Sequence, residues 1–196
     1  MSDYYLDIET YQPNPETDFY NDKIIAITYR QIDCRTGETK GNLNILKSWE
    51  TSEKEILEQF YNIFPSEKKD KFKFVAIGDN LPFDLGHLAL RWKFHGFGIN
   101  AIPLFCEHPY IDISSLLVLM NAGNMGGASL HKFGGTKWTG SAIAEWYTNK
   151  DYASIIAYIE NESTCYLNLY KFMVKHLPGL WTDYAKEAGI VITPHE

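Results

Sequence analysis

Three short groups of residues in this chain carry acids in types and spacings that could do chemistry with a bound cation. The first is Asp7-x-Glu9, in an otherwise apolar and aromatic run, Tyr4-Tyr5-Leu6-Asp7-Ile8-Glu9. Period-2 alternation puts Tyr5, Asp7 and Glu9 on one face of a strand and Tyr4, Leu6 and Ile8 on the other. Two carboxylates side by side in such a strand repel and lose hydration, so they need a cation or hydrogen bonds to offset the cost. The second group is Gly78-Asp79-Asn80-Leu81-Pro82-Phe83-Asp84. Asn80 reads as a helix cap, Pro82 suits a first helical turn, and Asp84 falls where a helix N-terminus favours negative charge. The third is Tyr158-Ile159-Glu160-Asn161-Glu162. There the i, i+4 spacing sets Tyr158 and Glu162 on one helical face, while Glu160 points away.

The elements that must carry these groups are legible in outline. Lys23 to Arg30 and Leu43 to Leu46 read as two more strands, joined by the polar turn residues Cys34 to Thr39, so an antiparallel meander is expected. Ser52 and Glu55 form a capping box, and Ile56, Leu57, Phe60 and Ile63 make the apolar stripe of a helix that stops at Pro65. Phe72 to Ile77 is a fourth strand leading to a helix from about Leu81 to Phe94, and Pro109 to Ile113 a short fifth strand before a helical turn or two at Ser114 to Asn121. Gly123 to Gly127 is a connector. Asp151 to Lys175 carries the apolar spacing of a long amphipathic helix, which Pro178-Gly179 is expected to end. Strands and helices in this order give an α/β chain with a mixed sheet between helices.

Composition narrows the class. The 196 residues, 45% hydrophobic and 22% charged, suit one globular domain over 1–196, with no apolar run long enough to span a membrane. The start lacks the pattern of a secretory signal, so a cytoplasmic location is expected. Cys34, Cys106 and Cys165 show no Cys-x-x-Cys pairing, and none of the six histidines has tight metal-binding spacing. A net charge of −7 disfavours a protein that coats long nucleic acid, but carboxylates of a metal centre would account for part of it.

Taken together, Asp7-Ile8-Glu9-Thr10, Asn80-Leu81-Pro82-Phe83-Asp84 and Tyr158-Ile159-Glu160-Asn161-Glu162 resemble the three motifs of the DEDD 3′→5′ exonuclease superfamily, in its tyrosine-containing (DEDDy) form. Their order and separations, 77 residues from Asp7 to Asp84 and 78 from Asp84 to Glu162, suit that family, and Ser129-Leu130 with His131-Lys132-Phe133 is similar to its short helix before the third motif. The resemblance runs from Tyr4 to about Lys175. It leaves the tail after Pro178 unexplained, and Glu162 stands where the family has Asp.

The resemblance implies a ribonuclease H-like fold: a five-stranded mixed sheet, made of a three-stranded antiparallel meander plus parallel strands, flanked by helices. It implies a two-metal-ion hydrolase acting on phosphodiester bonds at a single-stranded or frayed 3′ end of DNA or RNA. Asp7, Glu9, Asp84 and Glu162 would hold two Mg²⁺ or Mn²⁺ ions, with Tyr158 orienting the attacking water and Thr10, Asn80 and Phe83 contacting the terminal nucleotide. Tyr11, Phe83 and Trp92 are expected to supply stacking faces. Glu keeps the charge of Asp but adds a methylene, which alters where a second ion would sit. Two rivals follow: a nucleic-acid-binding or regulatory module with a decayed centre, and a structure-specific endonuclease on the same fold.

Overall fold

Apolar residues stand on both faces of the first strand because each face is covered by a different layer of helices. The computed structural model describes residues 3–12, 22–64, 72–97 and 108–190. Strands β1 (Asp3–Tyr11), β2 (Lys23–Ile32) and β3 (Thr39–Lys47) form the expected antiparallel meander. β4 (Val75–Gly78) joins the other edge of β1 in parallel, and β5 (Tyr110–Asp112) pairs with β4 in parallel. The sheet order β3-β2-β1-β4-β5 makes β1 the central strand. Its acids therefore lie in the middle of the sheet.

On one face, helices α1 (Glu53–Ile63) and α2 (Leu81–Phe94) pack against Leu6, Ile8, Ile24 and Ile27. The Ser52 hydroxyl accepts from the Glu55 N–H at 3.2 Å, so the capping box starts α1 as the sequence requires. Trp92 lies wholly inside this core, its indole N–H donating to the Leu57 carbonyl at 3.0 Å. It is therefore a core residue and offers no stacking face to a base, because an indole is the largest apolar volume available to fill the α1–α2 gap. Glu53 is buried too, and is fully paired: Arg91 donates to it twice at 2.7 Å, the Ile24 N–H donates at 2.8 Å, and His95 lies 3.0 Å away. Burial alone would raise its pKa, yet these donors hold it below the ordinary value.

The other face carries α3 (Ser114–Met120), the short α4 (Leu130–Gly134), α5 (Ile143–Thr148) and the long α6 (Tyr152–Glu187). Tyr5 of β1 packs there with Tyr166, Leu117 and Leu169. The expected stop at Pro178 is corrected: α6 continues through it to Glu187. Proline removes one i→i−4 bond, but Val174 is only partly buried and residues 175–181 are exposed, so water can reach the freed carbonyl. Thr182 also donates its hydroxyl to the Pro178 carbonyl at 3.1 Å. Among the described residues, no helix is long and apolar enough to cross a membrane.

Candidate active site

The acids meet because the middle of β1, the start of α2 and an early turn of α6 come together. β1 presents Asp7 and Glu9 on the face covered by α6, and a register irregularity follows between Glu9 and Thr10, where β2 carries the extra residue Ile25. α6 brings Glu162 down onto that face, and one carboxylate oxygen from each of Asp7, Glu9 and Glu162 lies within 4.8 Å of the other two. Asp84, buried in the first turn of α2, accepts from the Ile8 N–H at 2.9 Å. That bond ties α2 to the centre of β1. Asp84 is close enough to raise the pKa of Asp7 and Glu9, but it is not one of the three residues whose oxygens converge.

The turn that delivers Asp84 departs from the sequence expectation. Asn80 occupies the cap position in a left-handed conformation, φ 58°, and its side chain makes no capping bond. A sharp passage from β4 into α2 requires positive φ, which Asn tolerates better than most residues. Its N–H instead donates to Asp112 Oδ1 at 3.0 Å, and the Ser114 N–H donates to the same oxygen at 2.9 Å. Gly78 just before it has no room for a side chain: a Cβ would lie 2.7 Å from the Leu6 carbonyl oxygen.

The electrostatics are those of a crowded acid cluster. Burial pushes the pKa of Asp7 well up, with Glu162, Glu9 and Asp84 adding to it in that order. Glu9 is raised by burial and then by Glu162 and Asp84. Asp84 is raised by burial, although the bond from Ile8 opposes this. Glu162 is raised by burial against a hydrogen bond donated by the Tyr158 hydroxyl. Tyr158 is buried, and both burial and the acids push its pKa far up. Asp7 Oδ2 and Glu9 Oε1 are buried oxygens that accept no hydrogen bond, whereas every oxygen of Glu53 across the sheet is paired. Converging hard oxygen donors with no basic partner among the described residues fit a hard divalent cation.

Of the residues expected around this centre, Thr10 lies just beyond the register shift on β1, Asn80 is exposed at the turn, and Phe83 is half-buried on α2 with its ring 4.5 Å from that of His87. Tyr11 packs on Tyr147 at 4.7 Å. Glu160 is exposed, facing away from the acids as its spacing predicts. Several neighbours escaped the sequence reading. Asp79, at the end of β4, is raised to about 6 by burial and by Asp112, and it in turn raises Asp7 and Glu162. The Trp146 ring lies 6.3 Å from that of Tyr158 and 6.3 Å from that of Trp138, which is partly exposed. A cavity of about 400 Å³ opens beside Asp79 and Asn80, lined also by Ser114, Ser115 and Ser129.

The raised acids give a signed expectation for the metal-free protein. A group whose pKa is higher folded than unfolded contributes stability that is complete below its unfolded value and is lost as pH rises through the folded one. Asp79 alone places that loss between its ordinary value of 3.8 and about 6, and the four central acids act in the same direction. Without metal, the melting temperature should therefore be higher at about pH 5 than at about pH 8, and added Mn²⁺ should stabilise most at the higher pH, where the ligands are ionised. Thermal melts in EDTA and in Mn²⁺ at the two pH values check this. A metal-free melting temperature that climbs from the lower pH to the higher would contradict it.

The chain fits no known family model, and no curated protein is similar to it. Its fold is shared with solved structures. The family B DNA polymerase of the hyperthermophilic archaeon Pyrobaculum calidifontis superposes with a TM-score of 0.62 at 13% identity, over 91% of this chain and 25% of the polymerase. Exonuclease I of E. coli in complex with a dT13 oligonucleotide gives 0.58 at 13% identity, over 93% of this chain and 43% of that one. Exonuclease I bound to the inhibitor BCBP gives 0.57 at 12% identity over 95% of this chain. The chain thus spans a quarter of the polymerase and under half of the exonuclease. The mixed five-stranded sheet with its flanking helices is the ribonuclease H-like exonuclease fold. At these identities, the likeness is one of fold.

Proposed function

We propose that this chain is a metal-dependent 3′→5′ exonuclease acting on single-stranded nucleic acid or a frayed 3′ end. The observation that carries this reading is the convergence of Asp7, Glu9 and Glu162 within 4.8 Å, with buried oxygens of Asp7 and Glu9 that no described residue satisfies. Its position on the central strand of an exonuclease fold supports the same reading. So do the solved neighbours, one of which holds a dT13 oligonucleotide.

Asp7, Glu9 and Glu162 are the residues that would hold a divalent ion, with Asp84 beside them completing the acid set. Bound there, the ion would lower the pKa of a water and offset charge growing on the phosphate. The chain's own groups do the rest. Tyr158 stays a phenol at neutral pH because its pKa is raised, and its O–H is committed to Glu162. Its oxygen lone pairs are then free to accept from the attacking water and so aim it, which makes Tyr158 an orienting group and not a base. Asp84, tied to the Ile8 N–H, keeps α2 in register with β1. Asn80, Phe83 and Thr10 flank the acids where a terminal nucleotide would sit. Trp138 and Trp146 offer stacking faces near Tyr158, where a base–aromatic contact contributes roughly 1–3 kcal/mol.

The test is a strand labelled at its 5′ end, incubated with Mn²⁺, Mg²⁺ or EDTA. It should shorten one nucleotide at a time only with a divalent ion, and a 3′-phosphate should slow it. Early release of internal fragments would point to an endonuclease. Tight Mn²⁺ binding with no turnover of any DNA or RNA would point to a binding module.

A further inference from the structure

The second half of α6 is the one long stretch of helix that the acid centre does not use, and its surface is unlike the rest of the exterior. Residues 175–181 are all exposed, yet they include Leu177, Leu180 and Trp181, and Tyr184 follows. Leu180 is 66% exposed, Tyr184 58%, and Leu119 at the end of α3 71%. A groove of about 420 Å³ runs between Met120 and this part of α6, lined by Phe172, His176, Leu177, Gly179, Leu180 and Asp183. A second, almost wholly apolar hollow of about 260 Å³ adjoins it at Leu116 and Leu119. The half-exposed rings of Phe172, Trp181 and Tyr184 each offer on the order of 100 Å². Together with the leucines and methionines they exceed the few hundred Å² of apolar patch that a monomer ordinarily shows.

We propose that this face of α6 is a homodimer interface, in which a second copy of the chain lays its own α6 antiparallel into the groove. A crossing about a two-fold axis between Gly179 and Leu180 is isologous, so each of its contacts occurs twice. In that crossing, Leu180 of each copy meets the partner's Gly179, which carries no side chain and lies in open space. The same axis sets His176 of each copy against the partner's Asp183. His176 is held on the surface by its ring contact with Phe172, 4.3 Å between centroids. Asp183 has only a loose pairing with Lys186 at 4.0 Å, both side chains exposed. A parallel crossing would instead put Asp183 against Asp183. At 1.5 Å per residue the axis of the crossing lies roughly 26 Å along the helix from Glu162, and the near edge of the groove at Phe172 about 15 Å.

The test is sedimentation velocity on the full chain from about 1 to about 100 µM. The expected result is a species of twice the 22.5 kDa chain mass that populates as concentration rises. Leu180→Asp should weaken dimerisation at least tenfold, as should His176→Asp, which faces Asp183 with a like charge. The double variant His176→Asp, Asp183→Lys should recover most of the loss, because it pairs opposite charges again. Unchanged circular dichroism and melting of the monomeric variants would show that folding is intact, as expected for exposed positions. A wild-type chain that stays monomeric at the highest concentration would overturn the proposal and leave the face to a different partner. So would a dimer indifferent to Leu180→Asp, or a double variant no better than the singles.

Discussion

Asp7→Asn is expected to lower nuclease turnover by at least ~100-fold, beyond what loss of a group merely supporting a metal ligand costs, and at the same time to raise the melting temperature of the metal-free protein. The two effects have one cause. Asp7 sits on the central strand with a buried oxygen that no described residue satisfies, and the charges that raise its pKa are acids, Glu162 foremost. Asn keeps the shape and removes the charge, so the repulsion is relieved while the site loses a ligand. A gain of ~1 kcal/mol would raise the melting temperature by roughly 2–4 °C in a chain of this size. Asp84 behaves differently although it belongs to the same set. Its carboxylate accepts the Ile8 N–H at 2.9 Å, so Asp84→Ala leaves a buried donor unpaired at a cost of about 1–3 kcal/mol. Asp84→Asn keeps an acceptor there and is the cleaner comparison. Turnover of a 5′-labelled strand in Mn²⁺ and thermal melts in EDTA measure both quantities. A melting temperature that falls by many degrees in Asp7→Asn would mark the acids as structural.

The residues at the centre of this argument were the ones most legible in the sequence, because local periodicity reports which face a side chain takes. Alternation placed Asp7 and Glu9 together on β1, and the i, i+4 spacing placed Tyr158 with Glu162 while turning Glu160 outward. The meander was also readable, from strand lengths and turn residues, whereas the parallel run of the following strands was implied by the family resemblance. Periodicity does not report what covers a face. Trp92 lies near the second motif in sequence but points into the α1–α2 core, whereas Trp146, far from every motif, reaches Tyr158 through the fold. Asp79 and Asp112 join the centre only because β4 and β5 pair in parallel and both end there. That pairing is long-range and leaves no local pattern. Asn80 was read as a cap because its type suits one, but the tight turn demanded positive φ, and the cap's usual bond was never made. Pro178 was read as a stop because its lost bond was weighed without its setting on an exposed helix.

Glu162 should behave as a ligand in its own right and not as the remnant of a shorter side chain. The added methylene lets it reach: one of its oxygens lies within 4.8 Å of those of Asp7 and Glu9, and the Tyr158 hydroxyl holds its carboxylate from one helical turn away. Glu162→Gln removes the charge and keeps the shape, so turnover should fall roughly 100-fold, and the metal concentration needed for half-activity should rise. Its metal-free melting temperature should rise as well, since after burial Glu162 is the largest cause raising both Asp7 and Glu9. Glu162→Asp keeps the charge but retracts it by about one bond length, roughly 1.5 Å, far outside the ~0.2 Å tolerance of a metal–ligand distance. It should cost about tenfold or more and shift the metal requirement in the same direction. Tyr158→Phe separates the two roles: the acids and their charge remain, so metal affinity should hold while turnover drops. An Asp variant more active than the parent would mean that Glu162 had weakened the centre. A fully active Gln variant would show that the third converging oxygen is not needed for the chemistry at all.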